Sequence, residues 1–90
     1  MEQLIIMHAK DNVAVVMAPS LAEGTEVSVN GISLTVKNDI PFAHKVAIRP
    51  VAKGESIYKY GEPVGIATAD IEPGEHVHIH NVVSGRHTVK

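Results

Sequence analysis

The stretch Asp70 to Val82 reads DIEPGEHVHIHNV. In it His76, His78 and His80 alternate with Val77 and Ile79. An alternation of period two marks a β-strand, whose successive side chains point to opposite faces. The spacing therefore predicts one strand with an apolar face and an imidazole face, with Asn81 on the other side and placed to hydrogen-bond to backbone. Ile71-Glu72-Pro73-Gly74 ahead of it is turn chemistry, since proline fixes its own φ and glycine takes a positive φ without steric penalty. Histidine has only middling β-propensity, so a row of imidazoles on one face points to chemistry there.

The same turn pattern occurs twice upstream. Leu21-Ala22-Glu23-Gly24-Thr25-Glu26-Val27 and Val51-Ala52-Lys53-Gly54-Glu55-Ser56-Ile57 share with Ile71 to Val77 the form apolar-x-x-Gly-x-x-apolar. This predicts a tight turn with a left-handed glycine, anchored on both sides by core residues. The unequal spacing excludes a fixed-period solenoid. Between these turns the chain reads as strands: Gln3 to His8, then Val13 to Met17, an apolar run suited to burial on both faces. Val27 to Val29 and Ile32 to Val36 flank Asn30-Gly31, a strong hairpin signal. His44 to Val51 and Ser56 to Tyr60 follow, the first limited by Pro50 and the second running into a turn at Gly61-Glu62-Pro63. Val64 to Ala69 leads back to the histidine run. No helical period is sustained for ten residues, so the class is all-β. A single domain is expected over 1–84, with a polar tail over 85–90.

Ninety residues with a net charge of −2 and three aromatics allow one modest core built from aliphatics. The charges form no basic patch, which argues against nucleic acid as a partner. No apolar run has the length of a membrane span or a signal peptide, and the expected location is the cytoplasm. Without cysteine there is neither a disulfide framework nor a thiolate metal site. A chain this small has little room for a cleft of its own, which favours a site shared with a partner chain.

On a strand, neighbouring histidines two residues apart lie about 6.6 Å from each other and the outer pair about 13 Å. Metal–imidazole bonds are about 2.0 to 2.1 Å, so His76/His78 or His78/His80 is a half-site for a metal, completed by His44 or by a partner's carboxylate. The alternative is a solvated imidazole face without metal. His44 and Lys45 sit where a proline loop enters a strand, a place suited to proton transfer and to pairing with a carboxylate. Equally, they read as a strand-end histidine and a lysine lying along the surface. Lys59-Tyr60-Gly61-Glu62 gathers a cation, a phenol and a carboxylate at one turn, as a ligand site or as a polar hairpin tip.

Asp11-Asn12-Val13-Ala14-Val15, IPFAHKVAI (Ile40 to Ile48), IYKYGEPVG (Ile57 to Gly65) and DIEPGEHVHIHN (Asp70 to Asn81) together resemble the SAF-type domain of the altronate/galactarate dehydratase family, most closely its altronate dehydratase-like branch. The resemblance implies a β-clip fold with two long hairpins folded over each other. It implies the small subunit, or N-terminal domain, of a hydro-lyase that dehydrates a sugar acid to a 2-keto-3-deoxy acid. The implied cofactor is a divalent metal, usually iron(II), held mostly by a large subunit; a homo-oligomer is a further possibility. A sulfolactate sulfo-lyase shares the two-part construction and is the alternative activity, and a non-catalytic sugar-acid-binding or assembly module is another. In this setting His44, Lys45 and Tyr60 are the catalytic candidates, Lys59, Glu62, His80 and Asn81 the substrate-binding ones, and His76 and His78 the metal ligands. Where the family commonly has glycine before the His-Lys pair, this chain has Ala43.

Overall fold

The computed structural model describes residues 3–83; the tail expected over 85–90 lies outside them. In chain order the strands are β1 (Leu4–Ile5), β2 (Val13–Val16), β3 (Ser20–Leu21), β4 (Glu26–Val29), β5 (Ile32–Thr35), β6 (Ile40–Pro41), β7 (Lys45–Ala47), β8 (Ser56–Lys59), β9 (Glu62–Ala67), β10 (His76–Val77) and β11 (Val82–Val83). The described residues form no helix, so the architecture is all-β and consistent with a SAF-type β-clip.

A four-stranded antiparallel sheet in the order β1-β2-β7-β10 forms the centre. Every residue of β2 is buried, as its apolar run requires. One face of the sheet packs Leu4, Ala14, Val16 and Val46 against Val27, Val29, Leu34 and Ile40. The other packs Val13, Ala47 and Val77 against Ile57, Ala67 and Ile71. Two apolar clusters thus share one central sheet.

Around it lie a three-stranded sheet, β11-β9-β8, and the pairs β3-β6 and β4-β5. The β4–β5 hairpin turns at Asn30 (φ 50°) and Gly31 (φ 81°), both left-handed, as the dipeptide predicts. The β8–β9 hairpin turns one residue earlier than expected. Tyr60 (φ 59°) and Gly61 (φ 76°) occupy the turn, and Glu62 and Pro63 already belong to β9. Pro63 faces Tyr58 where the strand register shifts, which suits a residue that has no N–H to donate.

The three glycine turns take one geometry. Gly24, Gly54 and Gly74 have φ of 91°, 92° and 95°. Each turn is closed by a backbone bond from the following residue: Thr25 to Ala22, Glu55 to Ala52 and Glu75 to Glu72. Their flanking apolar residues are all in the core. Val51 and Ile71, which open the second and third turns, exchange a pair of backbone bonds at 2.9 and 2.7 Å.

The histidine run departs from its expected form. β10 ends at Val77, and His78 to Asn81 turn back into β11. Asn81 causes the reversal: its Oδ1 accepts the His78 N–H at 2.9 Å and its Nδ2 donates to the His76 carbonyl at 2.9 Å. The apolar face predicted for Val77 and Ile79 is not formed, for Val77 is buried and Ile79 is 83% exposed. The strand predicted for His44 to Val51 likewise shortens to β7, because the chain bends at Ile48-Arg49 ahead of Pro50.

Candidate active site

Three imidazoles meet at one end of the central sheet. His44 immediately precedes β7, His76 opens β10, and His78 starts the turn that leaves it. His44 Nδ1 and His76 Nε2 are 2.8 Å apart, a hydrogen bond in which one ring donates and the other accepts. The His44 and His78 rings stack with centroids 4.4 Å apart, and His76 and His78 are nearly parallel at 5.4 Å. One ring nitrogen from each of the three lies within 4.8 Å of the others. The His80 ring is 5.4 Å from that of His76, far closer than a continuous strand would permit, because the turn folds it back.

The cluster favours the neutral form of His76 and His78. Burial, then the neighbouring His44, His80, His78 and Lys45, lowers the His76 pKa to about 4. His78 is also lowered, by lost solvation and then by His44, Lys45 and His80. Neutral imidazole is the form that offers a lone pair to a metal.

β-sheet register places Val77 opposite Lys45 and His76 opposite Val46, so Lys45 and His76 leave the sheet on opposite faces. Lys45 points into a cavity of about 330 Å³ that it shares with Lys59 and with His78. His78 therefore borders both the imidazole cluster and this cavity. Burial, followed by repulsion from Lys59, lowers the Lys45 pKa.

Lys59, Tyr60 and Glu62 share the β8–β9 hairpin tip, with the Lys59 ammonium 5.5 Å from the Tyr60 ring centroid. Tyr60 and Glu62 are exposed, and among the described residues the ring contacts of the cluster are between histidines. Asn81 is 6% exposed and its amide is spent on the backbone, so it shapes the histidine turn.

Two residues just ahead of β2 hold this tip in place. Asn12 Oδ1 accepts the Tyr58 N–H and its Nδ2 donates to the Ser56 carbonyl, both at 2.9 Å. Asp11 accepts the Tyr60 and Gly61 N–H groups. Their presence in a motif of the resemblance was the one available signal.

Fold and site define an all-β domain that presents chemistry-bearing side chains from its turns and strand ends. Residues 2–85 match the altronate/galactarate dehydratase SAF domain family, and the chain belongs to it. It is 53% identical over 79 residues to an altronate dehydratase of Escherichia coli (strain K12), covering 88% of this chain and 16% of that protein. An altronate dehydratase of Bacillus subtilis (strain 168) is 40% identical over 81 residues, 90% of this chain and again 16% of the relative. A (2R)-sulfolactate sulfo-lyase subunit alpha of Chromohalobacter salexigens is 34% identical over 88 residues, 91% of this chain and 94% of that subunit. The chain thus spans about a sixth of the altronate dehydratases it matches and nearly all of the sulfo-lyase subunit.

Proposed function

We propose that this chain is the small part of a cytoplasmic, metal-dependent hydro-lyase that dehydrates a sugar acid, altronate or a close relative, to a 2-keto-3-deoxy acid together with a large subunit. The observation that carries the reading is the convergence of His44, His76 and His78, from two separated segments, within 4.8 Å.

The donor set fits the implied cofactor. Three imidazole donors with no carboxylate among them suit iron(II) or zinc, whereas magnesium and calcium prefer oxygen ligands. The three histidines would hold the metal, leaving further positions for the large subunit and substrate. A divalent metal held there would supply Lewis acidity to a bound sugar acid.

The chain's own groups supply the acid and contacts to the substrate, and the base that takes the proton beside the carboxylate falls to the large subunit. Dehydration removes the proton beside the carboxylate and expels hydroxide, so an acid must protonate the departing oxygen. Tyr60, exposed at the hairpin tip, is the candidate donor of that proton in a cleft closed by another polypeptide. Lys45 and Lys59 draw the acid's negative end toward His78, the residue common to both halves of the site. Glu62 and His80, both exposed, are the candidates for contact with substrate hydroxyls.

The near-complete coverage of a sulfo-lyase subunit favours sulfolactate, with loss of sulfite, as the second reading. Anaerobic co-expression with the dehydratase large subunit, followed by assays of D-altronate and sulfolactate with added iron(II), separates the two. A 2-keto-3-deoxy product supports the hydro-lyase and sulfite the alternative. A metal-loaded complex inactive on both acids overturns the proposal.

A further inference from the structure

We infer that the cavity holding Lys45 and Lys59 is a metal-independent subsite for the negative end of a small organic acid, accepting carboxylate and sulfonate alike. The inference deepens the reading above and rests on it for the identity of the acid.

Both ammonium groups line one cavity of about 330 Å³, and none of the described residues lining it carries a carboxylate. Two ammonium groups lining one cavity repel each other, and an anion between them relieves that repulsion. Apart from His78, the remaining wall is aliphatic. Val64, Ile79 and Val83 are 45, 83 and 52% exposed, and all three border this cavity. Such a wall takes the carbon chain of an acid whose charged end lies on the lysines.

The choice of lysine has a further consequence. An arginine fork matches a planar carboxylate through two fixed N–H groups, whereas an ammonium acts as a point charge without directional demand. A lysine pair therefore distinguishes poorly between planar carboxylate and tetrahedral sulfonate. The relatives are named for altronate and for sulfolactate, acids that share a negative end but differ in the group eliminated. On this geometry the lysine cavity recognises what such acids have in common, and the choice of leaving group belongs to the rest of the site.

The test uses the 90-residue chain in excess chelator at constant ionic strength. Propionate, ethanesulfonate, neutral propionamide and chloride are titrated while amide NMR shifts are followed. Propionate and ethanesulfonate should shift the amides of Lys45, Lys59, Ile79 and Val83, with dissociation constants of about 10 mM and within about threefold of each other. Propionamide and chloride should leave them in place. Lys59→Met, at a half-exposed position, and Lys45→Met should each weaken binding by about tenfold or more, with the remaining spectrum preserved. The absence of saturable shifts, an equal response to propionamide, or unchanged binding in the folded Lys59→Met variant overturns the subsite. Cobalt(II) titration of chelator-free protein separates this from the metal reading: metal binding without anion binding removes the subsite alone, and the reverse removes only the metal site.

Discussion

The Asp11 carboxylate, 1% exposed, accepts the Gly61 N–H at 2.8 Å across fifty residues of sequence, and its second oxygen accepts the Tyr60 N–H at 3.1 Å. Those two amides lie in the left-handed β8–β9 turn, which has no strand partner to satisfy them. A buried acid thus holds the tip carrying Lys59, Tyr60 and Glu62 beside the central sheet.

Replacing Asp11 by alanine orphans two amides and should cost about 2 to 4 kcal/mol of folding stability, measured by urea denaturation. Asp11→Asn should restore only part of it, since the amide keeps one acceptor and turns a donor toward the other N–H.

This bond also shows where the sequence stops being legible. The glycine turns, the Asn30-Gly31 hairpin and the doubly buried β2 are local patterns, and the structure forms them as read. Asp11 and Asn12 look like an ordinary turn because their partners lie more than forty residues away. Alternation misleads at His76 to His80, since a turn can carry the same period as a strand when a downstream side chain, here Asn81, captures the backbone. Nor does residue order reveal that Lys45 and Lys59 line one cavity, or that His44 comes within 2.8 Å of His76; both follow from how β7 pairs with β10 and how the β8–β9 hairpin packs.

Ala43 carries strain that its side chain does not need. Its φ is 71°, and its N–H is held by the Val16 carbonyl at 2.8 Å, so the backbone cannot relax. Glycine relieves the steric cost at some loss of unfolded-chain entropy, and Ala43→Gly should stabilise the protein by about 0.5 to 1 kcal/mol. Ala43→Val should destabilise it. Thermal unfolding of both variants gives the signs directly.

The lowered His76 pKa makes stability depend on pH. The unfolded histidine takes up a proton near 6.5, while the folded one resists until about 4. Between these values the unfolded state binds more protons, so stability is complete above about pH 6.5 and declines as pH falls toward 4. His78 is shifted in the same direction. Urea midpoints in chelator should fall over that window, and His76→Gln should flatten the curve.

Metal affinity should separate histidines that the sequence presents as equivalent. The nitrogens of His44, His76 and His78 gather within 4.8 Å, and His80 is not among them. Alanine at each of the three should weaken cobalt(II) binding at least about tenfold. His80→Ala should leave it within about threefold. Equal losses at all four would indicate diffuse binding by the histidine-rich turn.

The three glycine turns share one backbone geometry but not one environment. At Gly24 a Cβ would enter open space, so alanine meets only the left-handed strain, about 1 to 2 kcal/mol. At Gly74 the same Cβ would run into the Thr35 carbonyl oxygen, with the Lys37 side chain close behind. That glycine is also fastened on both sides, its N–H to the Ala47 carbonyl and its own carbonyl to the Lys37 N–H, each at 2.8 Å. The backbone therefore cannot move away without breaking the contacts that lead β10 into the histidine cluster. Gly74→Ala should cost at least about 3 kcal/mol, well beyond Gly24→Ala, because a steric clash is added to the same strain. Paired chemical denaturation of the two variants measures the difference, and equal losses would mean that the turn conformation alone sets the requirement for glycine.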